Sequence, residues 1–141
     1  MKKNKKDLSQ SSEDYLETIY IIKEKQGNIR IKDIAKHLNV KLPSVTFAIK
    51  KLAKKNLVIY EKYGLVKLTK KGEEIAKNTY KKHKTLSEFF TKILKIDEKT
   101  ALEDACKMEH GLSKKTLNKL ILFIKKMKGG KIYEIYKKME K

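Results

Sequence analysis

The clearest structural signal of the chain lies in residues 31–69, IKDIAKHLNVKLPSVTFAIKKLAKKNLVIYEKYGLVKLT. Residues 32–38 have helical spacing, and a second helical segment starts after a three-residue break with Pro43 in its first turn, where the missing N–H costs little. Behind it, 57–60 and 65–68 are two apolar runs around a glycine-containing turn, which is typical of a β-hairpin. Two short helices, a tight turn and a following hairpin predict a winged helix-turn-helix.

Further helices are predicted on both sides of this stretch. Upstream, hydroxyl caps and first-turn acids start an amphipathic helix near Ser11. Downstream, Thr69 is the predicted cap of a long helix that runs toward Leu94, and 97–112 forms the next one. Ser113 caps a third, whose predicted buried stripe is Leu117, Leu120, Ile121, Phe123 and Ile124. A short basic helix is predicted from Ile132. The expected fold is therefore mainly α.

The charge of the chain favours a polyanionic partner. It has 36 Lys and Arg against 17 Asp and Glu, a formal net charge of +19, and nucleic acid is the default partner of such a surface. Lysine enrichment also accompanies high-temperature adaptation and AT-rich coding, so part of the excess has a compositional explanation. No apolar run approaches the ~20 residues that span a bilayer, the start is not that of a signal peptide, and one cysteine fits a reducing compartment. We expect a cytoplasmic protein that binds no membrane.

The second helix of the helix-turn-helix has a polar face suited to reading the major groove. Hydroxyls there contact bases or phosphates, apolar groups touch thymine methyls, and lysines hold phosphates or guanine. The alternative is that this segment is an ordinary core helix and that its lysines are simply solvated. The hairpin that follows the helix argues against this alternative. The predicted DNA-contacting residues are Lys41, Pro43, Ser44, Thr46, Phe47, Lys50, Lys51, Lys54, Lys55 and Lys62.

Six side chains have the chemistry of metal ligands. An acidic pair stands at i and i+3 on the first helix, and a cysteine, a glutamate and a histidine stand at i, i+3 and i+4 on a later one. Thiolate, carboxylate and imidazole donors bind first-row divalent ions. Each of these residues also has an explanation that involves no metal. The acidic pair could stabilise the N-terminus of its helix, and the cysteine or a histidine could be a core residue. The six are Asp14, Glu17, His83, Cys106, Glu109 and His110.

At this point a resemblance can be stated: the chain is similar to the diphtheria toxin repressor and manganese transport regulator family of metal-dependent repressors. The similar region extends from Ser11 to the C-terminus. It is carried by EDYLETIY (13–20), DIA (33–35), PSVT (43–46), LVIYEKY (57–63), LTKKG (68–72), His83 and CKMEHGLS (106–113).

The resemblance implies a homodimer that binds a palindromic double-stranded DNA operator when loaded with iron(II) or manganese(II). Asp14 and Glu17 match the manganese branch, whereas Cys106 matches the iron branch, and the other three predicted ligands match both. Ser87 and Leu102 stand where iron-type members place ligands of a second site, which puts that site in doubt. The thiolate favours iron(II) slightly.

The predicted protein is thus a metal-dependent transcriptional repressor, not an enzyme, with no organic substrate. Residues 1–72 would form the winged helix-turn-helix DNA-binding domain, with three helices and a β-hairpin, and 73–141 an all-helical dimerisation and metal-binding domain. Two alternatives remain at this point. A winged-helix regulator with a vestigial metal site would bind DNA without metal, and a metal-dependent hydrolase would need a catalytic motif beyond the ligands.

Overall fold

The computed structural model describes residues 8–127, 134 and 137–139. The first half of the chain forms α1 (Gln10–Gln26), β1 (Ile29–Arg30), α2 (Ile31–Leu38), α3 (Leu42–Lys54), β2 (Val58–Tyr60) and β3 (Leu65–Leu68). The second half forms α4 (Lys70–Glu88), a π-helical turn (Phe89–Ile93), α5 (Glu98–Gly111) and α6 (Lys114–Met127). The mainly helical fold, a winged helix-turn-helix followed by a helical domain, is confirmed. Most of the helix predicted from Ile132 lies outside the described residues, and its described positions, 134 and 137–139, are helical.

The first helix begins earlier than predicted. Its N-cap is Ser9, whose Oγ accepts a hydrogen bond from the Ser12 backbone N–H at 3.2 Å. Ser9 has the extended backbone that a cap requires, whereas Ser11 is already helical. The helix stops at Gly27, where φ is +83°, a conformation that glycine adopts without the clash of a Cβ.

The turn between α2 and α3 is built by a left-handed asparagine. Asn39 has φ +55° and ψ +50°, and asparagine tolerates this region better than other non-glycine residues. The Val40 N–H then donates to the carbonyl oxygen of Ala35 at 3.1 Å. This turn sets the two helices of the helix-turn-helix at an angle without a long connection.

The wing, which is the hairpin of β2 and β3, carries a third strand. The strand order is β1-β3-β2 with antiparallel neighbours. Val58 pairs with Leu68, and Ile29 pairs with Val66. Strand β1 therefore ties the start of α2 to the wing.

One hydrophobic core holds these elements together. Apolar side chains at helical spacing point inward from α1, α2 and α3, and burial of each contributes about 1.5–3 kcal/mol. The helical side chains of this core with almost no exposed surface are Leu16, Ile19, Ile34, Val45, Ile49 and Leu52, and they are joined by Leu57, just before β2, and Val66 on β3.

The hydroxyl of Thr69 both donates and accepts a hydrogen bond, and in this way it links the wing to the start of α4. Its Oγ1 accepts from the Gly72 N–H at 3.0 Å and donates to the carbonyl oxygen of Asn56 at 2.7 Å. The predicted cap is therefore present. The helix does not run regularly to Leu94, however, because its last turn widens into the π-helical segment, and the Leu94 N–H donates to the carbonyl oxygen of Phe89.

The second core lies among the end of α4, α5 and α6. Asp97 caps α5 by accepting from the Thr100 N–H at 2.9 Å, and the hydrogen bonds from Thr100 hold the pKa of Asp97 below its ordinary value. Ser113 accepts from the Thr116 N–H at 3.2 Å, as predicted for the next cap. Phe123, which helical periodicity assigned to the buried stripe of α6, is about half exposed instead. The second core contains Leu86, Phe90, Ala101, Ala105, Leu117, Ile121 and Ile124.

The chain divides into two compact units, 1–80 and 81–141. This division falls inside α4, further along the chain than the predicted domain boundary after residue 72, which stays a prediction. None of the helices in the described part of the chain has the length and apolar character required to cross a membrane.

Candidate DNA-reading surface and metal centre

Helix α3 has one buried face and one face open to solvent. Val45, Ile49 and Leu52 pack into the first core at helical spacing. Pro43 lies in the first turn, where it has no hydrogen bond to lose. The burial of this stripe turns the opposite side of the helix, with Phe47, Lys50 and Lys51, toward solvent, so the local sequence itself orients the reading face.

A large apolar side chain, Phe47, stands exposed on this face, with 73 % of its surface open to solvent. Leu42 is also about half exposed, at the first position of the helix and in line with Val45 and Ile49. No acidic residue occurs between Asp33 and Glu61, so this stretch of chain, which contains α3, carries only positive charge. Apolar groups on a cationic helix are suited to thymine methyls.

Most predicted DNA contacts are exposed in the structure, but Thr46 differs. It is half-buried, and its Oγ1 donates to the carbonyl oxygen of Leu42 at 3.1 Å. Because that proton is used within the helix, the Thr46 oxygen is left only as an acceptor, and Ser44 is the better donor to a base. The exposed members of the predicted set are Lys41, Pro43, Ser44, Phe47, Lys50, Lys51, Lys54, Lys55 and Lys62.

A groove beside the reading helix was not found from the sequence. It lies between the start of α1 and the start of α3, and burial raises the pKa of its Tyr15 phenol. Only the packing of the two helices creates it, so no local pattern could have shown it. The residues around it are Ser9, Ser11, Ser12, Tyr15, Pro43, Ser44, Phe47, Ala48 and Lys51.

The predicted metal ligands of the second unit lie on α4 and α5. Nδ1 of His83 on α4 is 3.5 Å from Oε2 of Glu109 on α5. The side chain of Glu109 is 6 % exposed and that of His83 is 21 % exposed. A carboxylate buried to this extent needs a cationic partner, which either a protonated imidazole or a metal ion supplies.

The remaining donors are placed differently. The Nε2 atom of His110 is buried, whereas Cys106 is exposed. In the first unit, Asp14 is half-buried and Glu17 is buried on α1. Within the described residues, no three His, Cys, Asp or Glu side chains form a group that could hold a metal ion. The structure thus brings His83 and Glu109 together, and the full set of six ligands stays a prediction.

Two family models match almost the whole chain. The model of the iron-dependent repressor N-terminal DNA-binding domain matches residues 7–66. The model of the iron-dependent repressor metal-binding and dimerisation domain matches residues 69–129. Together they cover both the reading surface and the helices that carry the α4 and α5 donors.

Relatives agree with these matches. An uncharacterized HTH-type transcriptional regulator of Methanocaldococcus jannaschii is 48% identical over 122 residues, which are 86% of this chain and 98% of the relative. The HTH-type transcriptional regulator MntR of Bacillus subtilis is 39% identical over 110 residues, 78% of this chain and 77% of the relative.

Among solved structures, that of the manganese regulator SloR superimposes with a TM-score of 0.67 and 33% identity. The match covers 81% of this chain but only 53% of the SloR chain, so this chain spans about half of that protein. The domain order, the reading helix and these similarities lead to one assignment: the chain belongs to the iron-dependent repressor family of transcriptional regulators, whose members join a DNA-binding domain to a metal-binding and dimerisation domain.

Proposed function

We propose that this protein acts in the cytoplasm as a metal-activated repressor, binding a palindromic operator as a homodimer when loaded with iron(II) or manganese(II). The observation that carries the proposal is the exposed face of α3, where Ser44 and Phe47 are open to solvent within a stretch, 34–60, that contains no acidic residue. The family assignment supplies the dependence on metal. A metal bound only in the DNA-competent state raises operator affinity by linkage.

The donor set fits a first-row divalent ion. The buried carboxylate of Glu109 already has an imidazole nitrogen beside it, and such nitrogen and oxygen donors bind these ions well. The ion would supply positive charge to anionic side chains that otherwise repel one another. The residues proposed to bind it are Asp14, Glu17, His83, Cys106, Glu109 and His110.

Self-association has support from α6. Leu122 and Phe123 are each about half exposed on this helix, and large apolar surfaces of this kind mark interaction sites. A two-fold operator is matched by a two-fold dimer. Sedimentation of the full chain at micromolar concentration should therefore show a dimer, and a monomer with and without metal would contradict it.

Operator binding with and without metal tests the proposal directly. A duplex selected from a random pool in the presence of manganese(II) should bind tightly with metal and weakly after chelation. Ser44→Ala should lower affinity for that duplex about tenfold while changing binding to random DNA little, because it removes a base contact. Lys62→Ala is the control. It should lower the affinity for both duplexes and reduce the slope of log affinity against log salt concentration by about one. If no duplex is selected, or if chelation of the metal leaves binding to the selected duplex unchanged, metal-activated repression is refuted.

Metal preference should follow the residue at position 106. Cys106→Glu replaces a soft sulfur with a harder oxygen donor, so it should retain metal-dependent binding and shift activation toward manganese(II). Cys106→Ala removes the donor and should require more of either metal. The measurement is operator binding against free metal under anaerobic conditions. Coincident curves for wild type and Cys106→Glu with both ions would exclude Cys106 from the ligand set.

A further inference from the structure

The tip of the wing, residues Lys62–Gly64, presents a tyrosine where the backbone disfavours one. Tyr63 has φ +67° and ψ +21°, in the left-handed region, and its side chain is 87 % exposed. Hairpin positions of this kind favour asparagine or glycine. Because the ring gains almost no burial within the chain, neither backbone preference nor packing accounts for a tyrosine there. An outlier of this kind points to a function.

The one arginine of the chain holds this residue in place. Nη1 of Arg30 donates to the carbonyl oxygen of Tyr63 at 2.8 Å. Arg30 is itself anchored, because it pairs with Leu65 in the sheet and its backbone N–H donates to Asp33 at 2.8 Å. Apart from three histidines, every other basic residue is lysine. A planar guanidinium is the more directional donor, which suits a contact that sets an orientation.

The position of the wing tip suits a duplex. The wing follows α3 after only three residues, 55–57, and both belong to the same compact unit. Lys62, next to Tyr63, is exposed and supplies positive charge. A tyrosine ring offers an apolar face for deoxyribose and a hydroxyl that donates to phosphate.

We propose that Tyr63 is a further DNA-contacting residue, which packs on the sugar-phosphate backbone beside the groove that α3 enters, and that Arg30 is its positioning residue. This inference rests on the proposed function. It adds an aromatic contact next to Lys62, the wing residue already predicted to contact DNA, and it assigns Arg30 to the orientation of the wing tip.

Substitution of Tyr63 by asparagine distinguishes the loss of a DNA contact from the relief of backbone strain. Asparagine accepts the left-handed backbone more easily, so Tyr63→Asn should leave the thermal midpoint unchanged or raised. Operator affinity with metal should nevertheless fall about five- to tenfold. Tyr63→Phe retains the ring and should lose less. In hydroxyl-radical footprinting, the wild type should protect deoxyribose positions from cleavage that Tyr63→Asn leaves accessible.

A double-mutant cycle tests the role of Arg30. Arg30→Lys should lower operator affinity severalfold in the wild type but little in the Tyr63→Asn background, because the two residues act as one unit. Full affinity and an unchanged footprint for Tyr63→Asn, while the wild type binds in a metal-dependent way, would overturn this inference and leave the proposed function standing. Additive losses would overturn the positioning role. A wild type that binds no operator with metal would overturn the proposed function and this inference with it.

Discussion

Glu109→Ala should abolish activation of DNA binding at metal concentrations that saturate the wild type. The carboxylate is 6 % exposed and faces His83 at 3.5 Å, so its removal deletes one proposed ligand and the partner that orients another. Loss of a group that orients a ligand typically costs 10–100-fold in metal affinity, and loss of the ligand as well should require about 100-fold more metal. Operator binding measured against free manganese(II) gives this value.

Glu103→Ala is the matched control, because it makes the same change in charge at an exposed position of α5. It should activate like the wild type. Circular dichroism should show that both variants are folded at the temperature of the assay. If Glu109→Ala responds to metal as Glu103→Ala does, Glu109 is not a ligand and its burial has only a structural reason.

Gly72→Ala should destabilise the protein by about 3 kcal/mol, the upper end of the usual range for overpacking. A Cβ at this position would overlap the carbonyl oxygen of Leu57 and lie 2.9 Å from its carbonyl carbon. The obstacle is backbone, which cannot rotate away as a side chain does. Relief would require the start of α4 to move off the wing, with loss of the hydrogen bonds of Thr69 to Gly72 and Asn56.

Gly111→Ala is the comparison for this variant. A Cβ at Gly111 meets nothing within 4 Å, and alanine is the better helix former. Its free energy of unfolding in urea should equal or exceed that of the wild type. A Gly72→Ala protein as stable as Gly111→Ala would show that α4 and Leu57 separate at little cost.

The helix-turn-helix could be predicted because its signals are local. Pro43 and the apolar positions 45, 49 and 52 occur within one helix, and the two strands of the wing follow at once. The candidate ligands were also visible, since three of them repeat at helical spacing on α5. Spacing along one helix says which residues share a face. It does not say how much of that face is covered, so Phe123 was wrongly assigned to the buried stripe.

The start of α1 shows a second limit. Ser9 and Ser11 offer the same hydroxyl, and their order along the chain did not tell which would cap the helix. The choice depends on which residue has extended backbone, and that depends on how the first turn packs. An error of this kind moves a helix end without changing the fold.

What the sequence determined by itself was therefore the order of the elements, the reading helix and the family assignment, since hydrophobic period, turn residues and short motifs act over a few positions. Tertiary structure alone decided the contacts between distant segments: Arg30 with Tyr63, His83 with Glu109, and Gly72 with Leu57. The physical reason is that each of these contacts requires two elements to approach within a few ångströms. That approach is set by the packing of the whole core, not by the propensity of either partner.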